Sequence, residues 1–165
     1  SLMVVCAKLG MDFCACGPKE QMPSDELVAQ CREVAKESGA TITLTEDVDE
    51  GAAGASVIYT DIWVSMGESS DLWAKRIELL SKYQVNAELM AKAADDAIFM
   101  HCLPSFHDRN TTIGEDVFQK FGLPELEVTD EVFESERSRV FDEAENRMHS
   151  IKAVMYATLK DPESE

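Results

Sequence analysis

The stretch that decides the fold is Ala97-Ile98-Phe99-Met100-His101-Cys102-Leu103-Pro104. Its first half is rich in residues that favour strands, and Pro104 ends the strand because proline has no N–H to donate to a neighbouring chain. The strand therefore presents His101 and Cys102 at its carboxyl end. Ligands of open α/β sheets bind at the carboxyl ends of the strands, so this stretch predicts a ligand-binding loop.

Strands and helices alternate on both sides of this stretch. The predicted strands cover residues 11–16, 41–45, 56–60 and 97–101, with a short last strand at Glu127-Val128. The predicted helices cover residues 2–9, 25–38, 46–54, 71–83, 86–93 and 114–121, a short one follows Thr129, and a long one lies within 138–160. This alternation is typical of a three-layer, Rossmann-like α/β domain with a mainly parallel central sheet and helices on both faces. We expect one domain over residues 1–160 and a flexible tail over 161–165.

Composition and charge exclude several classes of function. The net charge is −17, from 32 acidic and 15 basic residues, whereas a protein that binds nucleic acid needs a basic surface. The apolar runs are far shorter than the ~20 residues of a membrane span, and no secretory signal opens the chain. An odd number of cysteines without the spacing of a disulfide framework favours a reducing compartment such as the cytoplasm. No Gly-x-Gly-x-x-Gly is present, so the sequence carries no dinucleotide fingerprint.

The loop that follows the strand at 56–60 is a candidate binding site for an ammonium group. Asp61 supplies a negative charge, Ser65 supplies a hydroxyl acceptor, and Gly67 lets the backbone approach a ligand closely. The residues alone leave open a second interpretation, in which this is an ordinary loop that caps the next helix.

Cys102 and Arg147 are further candidates. A nucleophilic Cys102 would need a lowered pKa and a paired base, but successive strand residues point to opposite faces, so His101 is a poor partner. A structural thiol is the alternative. Zinc bound by His101, Cys102 and His107 is disfavoured, because their spacing is not that of a structural zinc site. The Arg147 guanidinium suits a carbonyl or phosphate oxygen, although its helix also reads as an exposed charged face.

Three segments, in this order, resemble the carboxyl-terminal, ornithine-binding domain of ornithine carbamoyltransferases. They are Asp-x-Trp-Val-Ser-Met-Gly-Glu from Asp61, His-Cys-Leu-Pro from His101, and Phe-Asp-Glu-Ala-Glu-Asn-Arg-Met-His from Phe141. The similarity runs from Ser1 to about Leu159, and the chain is about half as long as such an enzyme. One departure is a serine at position 105, where the family usually has alanine.

The resemblance implies substrate-binding roles for Asp61, Ser65, Met66, Cys102, Leu103 and Arg147. In the family, the residues that match Asp61, Ser65 and Met66 hold the amino acid end of ornithine. The matching cysteine lies near the side-chain amine, and the carbonyl of the matching leucine accepts a hydrogen bond from the carbamoyl amino group. The matching arginine binds carbamoyl phosphate and stabilises charge on its carbonyl oxygen. The resemblance thus implies catalytic roles for Cys102, Arg147 and Asp61.

The implied reaction joins the carbamoyl group of carbamoyl phosphate to ornithine and gives citrulline and phosphate, a step of arginine metabolism. It requires no cofactor and no metal. The family's phosphate-binding Ser-x-Arg-Thr-Arg and His-Pro-x-Gln motifs belong to an amino-terminal domain and do not occur here, so we expect the chain alone to be inactive. The resemblance also implies that the parent protein is a homotrimer or larger. Without a partner domain, the apolar positions Ile151, Val154, Met155 and Leu159 of the last helix would be exposed.

Two alternatives remain open from the sequence. One is a carbamoyltransferase that acts on another amine or amino acid. The other is a non-enzymatic amino acid-binding or interaction module.

Overall fold

The computed structural model describes residues 1–65, 68 and 70–159, with the backbone alone at position 70. Its strands are β1 (Phe13–Cys16), β2 (Ile42–Thr45), β3 (Val57–Thr60) and β4 (Ile98–His101). Its α-helices are α1 (Leu2–Leu9), α2 (Asp25–Ser38), α3 (Val48–Ala52), α4 (Trp73–Leu80), α5 (Ala87–Met90), α6 (Thr112–Phe121), α7 (Asp130–Phe133) and α8 (Val140–Leu159). Short 3₁₀ turns cover Lys19–Gln21, Ser70–Leu72 and Ser81–Tyr83. The predicted alternation of strands and helices is confirmed.

The predicted helix ends agree most closely with the structure where a capping residue marks the end of the helix. The Ser24 hydroxyl accepts the Leu27 N–H at the start of α2, and Gly39 ends that helix with a φ of 87°. The predicted helix at 71–83 is shorter than expected, because α4 is flanked by 3₁₀ turns at both ends. The strand expected at Glu127-Val128 is reduced to a single parallel bridge between Val85 and Val128.

The strands pair in parallel. β1 pairs with β2 and β3 pairs with β4, so the described residues form two two-stranded parallel sheets and no ladder joins β1 to β3. Parallel strands linked through helices confirm the Rossmann-like α/β class. In the second sheet Thr60 lies opposite His101, so β3 and β4 end side by side. This register positions the residues that follow both strands.

The two loops that leave this sheet are anchored in one apolar cluster. Trp63 and Val64 from the loop after β3, and Phe106 from the loop after β4, are all buried there. Phe106 meets the ring of Trp73 edge to face, with ring centroids 6.0 Å apart. Because Trp63 and Val64 point inward, Asp61 and Ser65 on either side of them are left at the surface.

Helix α8 is attached to the domain through its beginning. The chain before it pairs with β4, since the Arg139 N–H donates to the Phe99 carbonyl at 2.9 Å. Within α8, Val140 is the buried residue, and the apolar side chains from Met148 onward are exposed, as expected. Neither α8 nor another helix in the described part of the chain combines the length and apolar composition needed to cross a bilayer.

Candidate active site

Asp61 and Cys102 meet where β3 and β4 end. The Cys102 thiol donates a hydrogen bond to Asp61 Oδ1 with an Sγ–Oδ1 distance of 3.1 Å. The same Oδ1 accepts the Ile62 N–H at 2.8 Å, which fixes the carboxylate on its loop. Asp61 is exposed and Cys102 is partly buried. The strand ends therefore present an accessible carboxylate beside a thiol.

The surroundings of Cys102 keep its thiol protonated. Burial raises its pKa to about 11, and the hydrogen bond to Asp61 and the charges of Asp61 and Glu143 act in the same direction. A cysteine nucleophile needs the opposite shift. His101 is fully buried, and its Nδ1 contacts the Cys102 carbonyl oxygen. This nitrogen of His101 is therefore directed to a backbone carbonyl and not to the Cys102 thiol.

A buried carboxylate supports the loop that follows Cys102. Glu127 is 1% exposed, and its Oε1 accepts the Phe106 N–H at 2.6 Å and the Ser105 hydroxyl at 3.3 Å. His101 Nε2 lies 3.2 Å from the same oxygen, a distance that suits an ion pair, although the angles are not those of a hydrogen bond. Sequence reasoning missed Glu127, because an acid in the stretch Glu125-Leu126-Glu127-Val128 resembles a surface residue. The serine at 105 uses its hydroxyl in this network.

The loop after β3 alternates between core and surface. Trp63 and Val64 are buried, whereas Asp61 and Ser65 are exposed. The Ser65 N–H donates to Glu68 Oε2 at 2.6 Å, and this bond is the main reason why the pKa of Glu68 is lowered. Two residues of the motif, Met66 and Gly67, lie outside the described residues, so the site prediction for Met66 has no structural counterpart.

Arg147 shares a cavity with Cys102 and Leu103. The cavity has a volume of about 830 Å³ and lies between the carboxyl end of β4 and the first half of α8. Ser65 instead lines a neighbouring cavity of about 490 Å³, together with Pro104 and Phe106. The structure therefore brings Cys102, Leu103 and Arg147 to one cavity and joins Asp61 to it through the Cys102 hydrogen bond.

A second hydrogen bond links the same two elements, and sequence reasoning missed it. The Tyr59 hydroxyl on β3 donates to Glu143 Oε1 on α8 with an O–O distance of 2.5 Å. Burial and this carboxylate raise the pKa of Tyr59 well above its ordinary value. No sequence signal pairs two residues 84 positions apart.

Possible metal ligands cluster elsewhere. In the part of the chain that the structure describes, His107, Asp130 and Glu134 form the group of three possible ligands whose ligand atoms all lie within 4.8 Å of one another. His101 and Cys102 do not join them. The His107 ring is stacked on Phe133 with ring centroids 3.6 Å apart, and its Nδ1 lies 2.8 Å from Asp130 Oδ1. These contacts satisfy His107 without an ion.

Parallel strands covered by helices, with a cleft at their carboxyl ends, define a Rossmann-like ligand-binding domain. Comparison with known proteins narrows this class. The family model described as aspartate/ornithine carbamoyltransferase, Asp/Orn binding domain, matches residues 1–158, and the chain belongs to this family. The resemblance seen in the three sequence segments is confirmed.

Relatives cover nearly the whole chain. The chain is 61% identical over 159 residues to a protein named ornithine carbamoyltransferase, catabolic, from Treponema denticola, covering 96% of this chain and 47% of that protein. It is 56% identical over 160 residues to the ornithine carbamoyltransferase of Staphylococcus aureus, covering 96% of this chain and 48% of that protein. The solved ornithine carbamoyltransferase of Pyrococcus furiosus superposes with a TM-score of 0.78 at 36% identity, covering 94% of this chain and 44% of that one. The chain thus spans about half the length of the relatives it matches.

Proposed function

We propose that this chain is the ornithine-binding half of an ornithine carbamoyltransferase, which transfers the carbamoyl group of carbamoyl phosphate to ornithine and gives citrulline and phosphate. The observation that carries the proposal is the Cys102–Asp61 hydrogen bond at the edge of the cavity that Arg147 lines. An accessible carboxylate, a neutral thiol and a guanidinium are the groups needed to attract an amine and to stabilise an oxyanion.

The charge at the strand ends favours ornithine over aspartate, the other amino acid in the family's description. Ornithine brings a second ammonium group, whereas aspartate brings a second carboxylate. Asp61 is exposed at the mouth of the site, and the Glu143 carboxylate is close enough to act on Cys102. Two carboxylates attract an ammonium and repel an acid. The net charge of −17 acts in the same direction at longer range.

The proposed mechanism must account for the two protons that the δ-ammonium of ornithine loses. The δ-ammonium of ornithine must lose a proton before its nitrogen can attack, and the exposed Asp61 is the group placed to assist that loss. Because the Cys102 thiol stays neutral, it contacts the amine by hydrogen bonding and forms no covalent intermediate. The nitrogen then bonds to the carbonyl carbon, and Arg147 stabilises the charge that develops on the oxygen. When the C–O bond to phosphate breaks, the leaving phosphate takes the second proton of the amine.

The Leu103 carbonyl and Ser65 complete the proposed substrate-binding site. Leu103 also lines the cavity, and its carbonyl is assigned to the carbamoyl amino group. Ser65, with its backbone held by Glu68, is assigned to the amino acid end of ornithine together with Asp61 and Met66. Carbamoyl phosphate is bound mostly by a second domain, and much of the rate comes from holding the two reactants in line.

The setting of the complete protein is part of the proposal. All five cysteines, each within the described residues, are free thiols, which supports a reducing cytoplasm. A homotrimer or a larger assembly is expected through the second domain, and sedimentation of the two-domain protein tests it.

The test is a reconstitution. The chain is fused behind the amino-terminal half of the Treponema denticola relative, and citrulline formation is measured with ornithine, N-acetylornithine and aspartate as acceptors. We expect activity with ornithine and none from the chain alone. A preference for another acceptor would support the broader carbamoyltransferase alternative. Tight ornithine binding by the chain alone, with no citrulline from the fusion, would favour a non-enzymatic binding module.

A further inference from the structure

We propose that Tyr59 and Glu143 form a positioning pair that holds helix α8, and with it Arg147, against the strand ends that carry Asp61 and Cys102. The inference rests on the proposed function, because it assigns to the pair the alignment of the two sides of the cavity. Neither residue belongs to the set that the resemblance implies.

The pair lies between the two sides of the site. Tyr59 is two residues before Asp61, which follows β3 directly, and the Asp61 charge helps to raise the pKa of Tyr59, so the two side chains lie near each other. Glu143 is four residues before Arg147, which places both on one face of α8. The hydroxyl–carboxylate bond of 2.5 Å thus joins the strand that carries Asp61 to the helix face that carries Arg147.

The bond is stronger than an ordinary surface contact. A carboxylate acceptor makes it charge-assisted, and Glu143 is partly buried, although most of α8 is exposed. The second oxygen of Glu143 is buried without a hydrogen-bond partner in the structure, so losing Tyr59 would leave the carboxylate without either bond. That desolvated group would move toward water and draw the helix with it.

Other contacts of this part of α8 involve its first residues, where Phe141 meets the ring of Phe133 edge to face with ring centroids 6.0 Å apart. The backbone of Arg139 is fixed to Phe99 before the helix begins, and Val140 is the buried residue of the helix itself. Two turns beyond Val140, Arg147 has no buried neighbour on its own helix. The position of Arg147 therefore depends on how well the first turn of α8 is fixed, and a misplacement of about 1 Å can lower a rate about 100-fold.

The first test measures kinetics in the two-domain fusion. Tyr59→Phe removes the hydroxyl and keeps the ring, and we expect kcat to fall about tenfold or more while the KM for ornithine stays within twofold. Glu143→Ala should match it, and Glu143→Gln should recover most of the rate because its amide oxygen still accepts the phenol. The double variant Tyr59→Phe/Glu143→Ala should be no slower than either single variant.

The chain offers a matched control. Tyr83→Phe also removes a tyrosine hydroxyl that donates to a distant segment, the Glu46 carbonyl at 3.3 Å, but it lies away from the cavity. We expect this variant to keep the wild-type kcat. Full activity in Tyr59→Phe, or additive losses in the double variant, would overturn the inference.

The second test does not depend on catalysis. Hydrogen exchange of the backbone amides at 143–150 is measured in the purified chain, and Tyr59→Phe should accelerate it whereas Tyr83→Phe should not. If the wild-type fusion makes no citrulline, the proposed function fails, and the exchange result alone decides whether the pair fixes α8. Equal exchange in wild type and Tyr59→Phe would overturn the positioning role.

Discussion

The Cys102 thiol donates a hydrogen bond to Asp61 Oδ1 at 3.1 Å, at the point where two parallel strands end together. This relationship turns a possible nucleophile into a neutral hydrogen-bonding group. It also joins the motif that follows β3 to the motif that follows β4 in one site, although Asp61 and Cys102 are 41 residues apart in sequence. The parallel register of β3 and β4 brings them into contact, and buried aromatic residues hold both loops in place.

The first prediction concerns the pH dependence of Cys102 alkylation. With its pKa raised to about 11 from 9.0, Cys102 has about 100-fold less thiolate at pH 8 than an unshifted thiol. Labelling by iodoacetamide, followed peptide by peptide with mass spectrometry, should therefore be slow at pH 8 and rise about tenfold per pH unit up to about pH 11. Asp61→Asn should accelerate labelling at pH 8 because it removes a negative charge, whereas Asp49→Asn should not. Rapid labelling of wild-type Cys102 at neutral pH would show that the thiol is ionised after all.

A second prediction separates contact from covalent catalysis at Cys102. In the two-domain fusion, Cys102→Ala should raise the KM for ornithine and lower kcat, each by about tenfold, because an amine contact is lost. Loss of a covalent nucleophile would instead abolish turnover. Cys14→Ala, at an exposed strand position outside the cavity, is the control and should behave as wild type. Wild-type kinetics for Cys102→Ala would show that Cys102 does not contact the substrate amine.

The third prediction concerns Arg147. Arg147→Lys keeps the charge but loses the planar pair of donors, so kcat should fall about 100-fold or more if Arg147 stabilises the developing oxyanion. Ornithine binding, followed by calorimetry, should change little because Asp61 remains. Arg109→Lys alters a surface arginine that pairs with Glu115 at 2.8 Å, and it should leave kcat unchanged. An equal loss of ornithine affinity in Arg147→Lys would point to a binding role instead.

Much of the fold could be read from local sequence signals. Helix α1 has the predicted bounds, α2 begins after the predicted Ser24 cap, and β4 ends before Pro104. These ends could be predicted because a capping residue or a proline acts on the backbone within a few residues of itself. The proximity of Asp61 and Cys102 could also be predicted, because parallel strands end at a common edge of the sheet.

Contacts between segments that are distant in sequence could not be predicted from local patterns. Glu127 resembles a surface acid in sequence, and only the folded chain shows that the loop after β4 closes over it. The Tyr59–Glu143 bond depends on the direction in which α8 leaves the domain, which no local pattern encodes. The same holds for α4, where 3₁₀ turns at both ends shorten a segment with a continuous helical pattern.

A fourth prediction addresses the stability that Glu127 provides. Glu127→Ala leaves the buried Phe106 N–H and the buried Ser105 hydroxyl without their shared acceptor, so the free energy of unfolding should fall by about 3 kcal/mol. Glu127→Gln keeps an oxygen for Phe106 and should cost about 1 kcal/mol. Urea denaturation of the purified chain measures both, with the exposed Glu78→Ala as a control that should change stability by less than about 0.5 kcal/mol. A wild-type midpoint for Glu127→Ala would mean that the buried network contributes nothing.

The last prediction concerns the exposed apolar surface of α8. Met148, Ile151, Met155 and Leu159 are each at least 49% exposed, and such a surface on a short chain favours self-association. Sedimentation velocity should therefore show reversible association of the wild-type chain that strengthens with concentration.

The double variant Met148→Glu/Met155→Glu should stay monomeric and keep its unfolding midpoint, because both side chains are outside the core. Lys152→Glu is the matched control, since it lowers the net charge by two, as the double variant does, but leaves the apolar side chains in place. If charge alone governs association, the control will dissociate as readily as the double variant; if the apolar face governs it, the control will associate like wild type. If this surface docks on the second domain in the two-domain fusion, the same double variant should also lower citrulline formation.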